Sequence, residues 1–289
     1  MLEQEIKILE VLFMIGAIIG DVIGSIYEFS PIRSKTFDLF TENNELTDDS
    51  FLTIAVFLAL EQCNGNYEIL SRATVIEFMK IYQRYPNPMG AYGTMFQDWL
   101  LDCLQNHYIA KPYYSFGNGA AMRISPVAYF SNSLEECIEL SKKVTRITHN
   151  HVEGMKGAEA TAVAIYLALH NHSKEDIKKH IQEHYYPLSK PLSEIRQYYR
   201  FDGSCQGSVP ESIQAFLEAD SYEDAIRNVI YLGGDADTMG AITGAIAEAY
   251  YGIPPHVECK LVNYLDSYTR DIVKRMKLFA KSVKDRTRT

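Results

Sequence analysis

The chain has 289 residues, of which 47% are apolar and 22% charged, an ordinary globular composition that excludes a disordered segment and a small disulfide scaffold. Its formal net charge of −9 argues against indiscriminate binding to nucleic acid or to an anionic membrane, where basic surface supplies the affinity. No linker rich in Pro, Gly or Ser interrupts the sequence, so residues 1–289 read as one domain, with the last few frayed.

Five cysteines, Cys63, Cys103, Cys137, Cys205 and Cys259, lie far apart and form no C-x-x-C pair. This usage fits a reducing cytoplasm. The longest early apolar run, Val11 to Gly20, ends at Asp21 and lacks a cationic flank. It is too short for a membrane span and the wrong shape for a signal peptide. A cytoplasmic protein without membrane contact or sequence-specific nucleic-acid binding is expected.

Apolar residues recur at spacings of three and four along most of the chain, while strict alternation is scarce, so an all-α fold is predicted. The spacing predicts helices over 8–27, 50–62, 67–84, 93–105, 119–130, 134–145, 153–170, 174–185, 208–218, 222–230, 238–250 and 256–280. In the first, Gly16, Gly20 and Gly24 form a stripe that lets a neighbouring backbone approach closely. Glu28 follows Asp21 by seven residues, two turns along the same face. Both side chains read either as surface charges or, for Glu28, as an approach to a buried site.

Next comes Leu46-Thr47-Asp48-Asp49-Ser50, which crowds oxygen ligands at a helix start. Gly90-Ala91-Tyr92-Gly93-Thr94 is a glycine-punctuated loop fit for binding or for turning. Ser115-Phe116-Gly117-Asn118-Gly119-Ala120-Ala121-Met122-Arg123 is a small-residue loop entering a helix, able to present backbone N–H groups to phosphate. It matches neither a Walker A loop nor a dinucleotide fingerprint, and a plain turn is the simpler reading. Arg123 reads as a structural ion-pair partner.

The His-x-His pairs at His149 and His151 and at His170 and His172 lack a third zinc ligand at a recognisable spacing. Cys205, in a second glycine-punctuated loop ending at Pro210, has no base nearby in sequence and reads as an inert thiol. Tyr185-Tyr186 and Tyr198-Tyr199 read as surface packing. Gly233-Gly234-Asp235-Ala236-Asp237-Thr238 repeats the acidic theme before a small, apolar helix, with the two aspartates in an extended spacing that points both the same way. From Lys281 to Thr289 the tail reads as solvated.

Either acidic cluster alone is explained by helix capping as well as by metal. If the two meet, four carboxylates share one site, and their repulsion demands raised pKa values or bound cations. Two divalent cations would balance them, and an all-oxygen ligand set selects hard ions such as Mg²⁺, Mn²⁺ or Ca²⁺ over zinc.

Taken together, five pieces in order resemble the ADP-ribosylglycohydrolase family over nearly the whole chain. They are the Gly16–Gly24 stripe running to Glu28, Thr47-Asp48-Asp49-Ser50, Gly117 to Arg123, Thr148-His149, and Gly233 to Thr238. The resemblance implies an all-α orthogonal helical bundle with a pair of Mg²⁺ or Mn²⁺ ions at the base of a cleft that receives ADP-ribose. Carried over by position, it implies Thr47, Asp48, Asp49, Asp235, Asp237 and Thr238 as metal ligands and Glu28 as the mobile acid near the scissile bond, with an aspartate such as Asp49 as the other candidate for proton transfer. Ser115, Phe116, Gly117 and Asn118 are implied to hold the diphosphate, His149 to lie near ADP-ribose, and Tyr92 and Gly93 to line the cleft. Ser50 stands where the family usually has Thr, and Ala91 where Gly is common.

The implied reaction is metal-dependent hydrolysis of the glycosidic bond between ADP-ribose and an acceptor, on an ADP-ribosylated protein or small molecule, with arginine the family default. The rival readings are a catalytically silent ADP-ribose binder and a two-metal phosphohydrolase acting on a nucleotide diphosphate.

Overall fold

A computed structural model describes residues 13–32 and 34–287. Among them every regular element is a helix, and the β contacts are two isolated bridges, Thr47 with Met89 and Gly117 with Ser204. The helices, in order, are α1 (Gly16–Gly24), α2 (Asp48–Cys63), α3 (Leu70–Arg84), α4 (Thr94–Asn106), α5 (Pro126–Phe130), α6 (Leu134–Thr145) and α7 (Val152–Leu169). They continue as α8 (Lys174–His184), α9 (Leu192–Tyr198), α10 (Cys205–Leu217), α11 (Tyr222–Leu232), α12 (Ala236–Tyr251), α13 (Pro255–Glu258) and α14 (Ser267–Thr287). The chain is all-α, as its periodicity predicts. No helix of the described residues is long and apolar enough to cross a membrane.

Local chemistry explains where several helices start. Thr47, Ser133, Ser173, Ser204 and Ser221 each accept a backbone N–H with the side-chain oxygen at the head of α2, α6, α8, α10 and α11. This satisfies one of the donors that every helix leaves orphaned. In α8, Asp176 reaches back to the Ser173 backbone and completes a capping box.

The centre of the molecule is α12, in which every residue from Ala236 to Ala249 is buried. A helix apolar all round can only be an interior one. Around it pack α1, α7, α10 and α11, and α1 lies closest. A Cβ placed on Gly20 would sit 1.9 Å from the Gly240 carbonyl oxygen, and one on Gly24 would sit 2.3 Å from that of Ala236. The stripe therefore lets two backbones touch, and it delivers the C-terminal end of α1 to the start of α12.

Several boundaries differ from the expectation. The predicted helix over 8–27 is α1, which stops at Gly24, and its residues 8–12 lie outside the described ones. Glu28 is thus beyond the helix and not on the face of Asp21. The stretch 119–130 splits into a 3₁₀ turn at Asn118–Ala120 and α5, with Pro126 at the first position of α5, where its missing N–H costs nothing. Likewise 256–280 divides into α13, a 3₁₀ turn at Leu261–Tyr264, and α14. The tail read as solvated from Lys281 continues α14 as far as Thr287. The predicted helix over 208–218 is α10, which begins earlier, at Cys205, within the stretch read as a glycine-punctuated loop, and α9 has no counterpart among the predicted helices.

Candidate active site

Two helix starts face each other across a cleft of about 570 Å³. At the first, Thr47 caps α2, accepting from the Asp49 amide at 3.2 Å while its hydroxyl donates to Asp21 Oδ1 at 2.7 Å. At the second, Asp235 immediately precedes α12 and Asp237 lies in its first turn. The extended spacing expected there is corrected: the side chains of Asp235 and Asp237 converge because a helix begins between them. Gly233 and Gly234 both take φ +85°, a left-handed turn that glycine adopts without a steric cost.

The acids converge. One oxygen from each of Glu28, Asp235 and Asp237 lies within 4.8 Å of the other two, and Asp48 and Asp49 line the same cleft. Asp49, Asp235 and Asp237 are almost wholly buried. Asp49 Oδ1 has no hydrogen-bond partner, whereas Asp235 Oδ2 accepts from Asn118 Nδ2 at 2.8 Å and Asp237 Oδ1 accepts from the Thr238 amide at 2.9 Å.

Burial, and then the charges of the neighbouring aspartates, push the carboxyls of Asp48, Asp49 and Asp237 well above the usual range. Asp235 is raised by burial against several hydrogen bonds. Glu28 is raised to about 7 by burial and by Asp235. Buried, mutually repelling carboxylates with a vacant lone pair are what hard cations neutralise. The donor set fits Mg²⁺ or Mn²⁺.

Asp21, which reads in the sequence as a surface charge, instead supports the first acidic cluster. It is fully buried and receives the Thr47 amide at 3.1 Å, the Thr47 hydroxyl, the Ser50 amide at 3.2 Å and the Ser50 hydroxyl. One carboxylate thus holds the first turn of α2, from which Asp48 and Asp49 project. Nothing local marks it, because the donors it satisfies lie 26 to 29 residues away in sequence.

The opposite wall is the segment 115–123. Its path is fixed by the Asn118 amide donating to Gly203 O and the Cys205 amide donating to Phe116 O, both at 2.9 Å. Ser115, Gly117 and Asn118 line the cleft, and Ser115 Oγ accepts the Gly117 amide at 3.1 Å. Phe116 lies outside the lining, about half exposed, with its ring edge-on to His151 at 5.4 Å.

His149 is buried, and burial together with the Arg123 charge keeps its imidazole neutral, with a pKa well below the ordinary value. Arg123 donates to Thr148 Oγ1 at 2.7 Å and its Nη2 also lies 3.5 Å from His149 Nδ1, and since a guanidinium only donates, Nδ1 is the accepting nitrogen. The imidazole proton then sits on Nε2, which faces Gly117 and Gly119 and offers a donor to the cleft.

Arg123 itself is no ion-pair partner. Its guanidinium lies over Phe78 at 4.6 Å and Phe96 at 5.3 Å, and none of the ion pairs among the described residues includes it.

Tyr92 and Gly93 also line the cleft, and the Tyr92 hydroxyl donates to Tyr85 O at 3.0 Å. Thr47 and Thr238 are buried, and Thr238 lines the cleft beside the acids. Cys205 is fully buried, and burial raises its thiol pKa, consistent with an inert side chain. Of the tyrosine pairs read as surface, Tyr186 and Tyr199 are buried. Tyr199 donates to Gly207 O at 2.7 Å, and its ring lies where a Cβ on Gly234 would be, so it buttresses the turn before Asp235.

A family model described as ADP-ribosylglycohydrolase matches residues 11–286. The chain is similar to the ADP-ribosylhydrolase ARH3 of Mus musculus, at 25% identity over 82% of each chain. It is similar to the ADP-ribosylarginine hydrolase Tri1 of Pseudomonas putida, at 26% identity over 83% of this chain and 70% of that one. The match to the ARH3 of Gallus gallus, at 28% identity, spans only 50% of this chain and 53% of that protein. In three dimensions it resembles a solved chain described as an ADP-ribosylglycohydrolase-related protein complex, with a TM-score of 0.69, 21% identity and coverage of 95% and 96%.

Proposed function

Because the chain belongs to the ADP-ribosylglycohydrolase family, we propose that it is a metal-dependent hydrolase that cleaves the glycosidic bond between C1″ of ADP-ribose and an acceptor, releasing ADP-ribose. The observation that carries this reading is the convergence of Glu28, Asp235 and Asp237 in the cleft that Asp48 and Asp49 also line. Asp48, Asp49, Asp235, Asp237 and Thr238 would hold a pair of Mg²⁺ or Mn²⁺ ions, with Thr47 contributing the lone pair that its cap leaves over. Bound there, the ions would orient the sugar hydroxyls and stabilise developing charge.

The chain's own residues do the rest. Ser115 offers its hydroxyl proton to the diphosphate beside the wall that Gly117 and Asn118 line, with the His149 Nε2 proton as a further donor. Tyr92 and Gly93 wall the ribose off from water. Glu28 reaches the cleft from a segment outside any helix, with its carboxylate over Gly90, and moves the proton at the scissile bond with Asp49 beside it.

The acceptor we propose is arginine, the acceptor in the name of the Pseudomonas putida relative. ADP-ribosylated arginine, serine and acetyl substrates, incubated with and without EDTA and followed by mass spectrometry, test this. Expected are intact ADP-ribose from the arginine substrate, loss of turnover in EDTA, and loss of turnover in Asp49→Asn and Asp237→Asn at saturating Mg²⁺. Release of AMP and ribose phosphate would instead establish the phosphohydrolase, and binding of ADP-ribose without turnover of any substrate the silent binder. Full activity in both variants would remove the metal-centred mechanism.

A further inference from the structure

A separate cavity of about 280 Å³ opens between the segment that follows Glu28, α9 and α11. Its walls include Lys35, Ser193, Arg196, Asn228 and Tyr231. We propose that it is a binding site for a small phosphate-class oxyanion, inorganic phosphate or a short phosphomonoester.

Two cations from different elements meet here, and none of the ion pairs among the described residues includes either. Arg196 lays its guanidinium over the Tyr231 ring at 4.7 Å and donates from Nη2 to Ile32 O at 3.1 Å. Its Nε is buried and has no acceptor. That enclosed atom is out of reach of an anion in the cavity, so the guanidinium would meet one through its Nη groups. Lys35 donates to Asn228 Oδ1, and an ammonium has two further protons to give. Asn228 is itself 2% exposed and anchored to Ala215 O by its amide, which makes it a fixed floor.

One carboxylate, Glu218, also lines the cavity. Its Oε1 already accepts from the Leu192 amide at 2.8 Å and from Gln214 Nε2 at 2.7 Å, so that oxygen is committed to other donors. Arginine supplies a planar fork, lysine a point charge and Ser193 a hydroxyl, a donor set that suits a tetrahedral oxyanion.

Position gives the site a consequence. Lys35 and Ile32 belong to the segment that carries Glu28, whereas Arg196 belongs to α9. An anion held by both Lys35 and Arg196 ties that segment to the body of the protein.

The test is calorimetric titration of inorganic phosphate into the full chain in Mg²⁺ buffer, with ADP-ribose saturating the cleft, alongside acetate as a planar control. Expected are one phosphate site, no acetate binding, affinity weakened about tenfold by Lys35→Gln and by Arg196→Lys, and slower amide exchange at residues 34–38 when phosphate is present. No phosphate binding, equal binding of acetate, or binding that both variants leave intact overturns the proposal. Lys35 is exposed, so its variant serves even if the Arg196 variant folds poorly. Neither residue lines the cleft, so failure here leaves the hydrolase reading standing.

Discussion

Gly20 on α1 and Gly240 on α12 meet backbone to backbone, so that a Cβ on Gly20 would stand 1.9 Å from the Gly240 carbonyl oxygen. The contact sets the distance between the two helices, and it thereby sets where the segment bearing Glu28 emerges beside Asp235 and Asp237.

Gly20→Ala should therefore force the helices apart. The obstructing atom belongs to the backbone of a buried helix and cannot rotate away, so a loss of at least about 3 kcal/mol is expected in urea unfolding. Gly93→Ala is the matched control for stability, because a Cβ there meets nothing within 4 Å and its φ is −54°. It should change the unfolding free energy by less than about 0.5 kcal/mol. Equal losses in the two variants would contradict the close-approach account.

Asp21→Asn tests the support of the first acidic cluster. The carboxylate takes four donors from Thr47 and Ser50, and an amide replaces one acceptor oxygen with a donor. Outer-shell partners typically cost tenfold or more in metal affinity when broken, so Mn²⁺ affinity followed by electron paramagnetic resonance should fall about tenfold while the helical circular dichroism is kept. Ser50→Ala removes only the hydroxyl donor and should cost less than about threefold. Wild-type Mn²⁺ affinity in Asp21→Asn would show that α2 holds its first turn without this carboxylate.

Much of this arrangement is legible in the sequence, for identifiable reasons. Thr47 and the aspartates after it announce a capped helix start, and the glycine stripe announces a close partner, because both are local signals with a single physical cause. What Asp21 does is not legible, since the donors it satisfies come from 26 to 29 residues away. The end of α1 before Glu28 is hidden for a partly related reason: beside the local Ser25 hydroxyl, the Val22 carbonyl is closed by a tertiary donor, Asn44, at 2.7 Å. Tyr199 looks like surface because nothing in its neighbourhood says that a glycine turn 35 residues later will need its ring.

Ala91 stands in the cleft loop with φ +62°, a left-handed backbone that costs an L-residue about 1–2 kcal/mol. Ala91→Gly relieves that strain and gives back part of the gain through the more flexible unfolded chain. A net stabilisation of about 1 kcal/mol is expected from thermal or urea unfolding. A destabilised variant would mean that the alanine methyl makes a contact worth more than the strain.

Glu248 should make stability depend on pH in a direction opposite to that of most carboxylates. Its side chain is buried in α12 and accepts the amides of Phe13 at 2.6 Å, Ile15 at 2.8 Å and Gly16, closing the start of α1. Burial outweighs these donors and raises its pKa from 4.5 to about 7. Between those values the folded protein binds the proton and the unfolded chain does not, so stability falls as pH rises. The contribution is complete below about pH 4.5, is lost by about pH 7, and amounts to about 3 kcal/mol. Glu248→Gln removes the titration, so the stability difference between wild type and variant should shrink by that amount across this window and stay flat above it. A difference that grew with pH would mean that the three backbone donors hold the carboxylate ionised and that burial is the weaker influence.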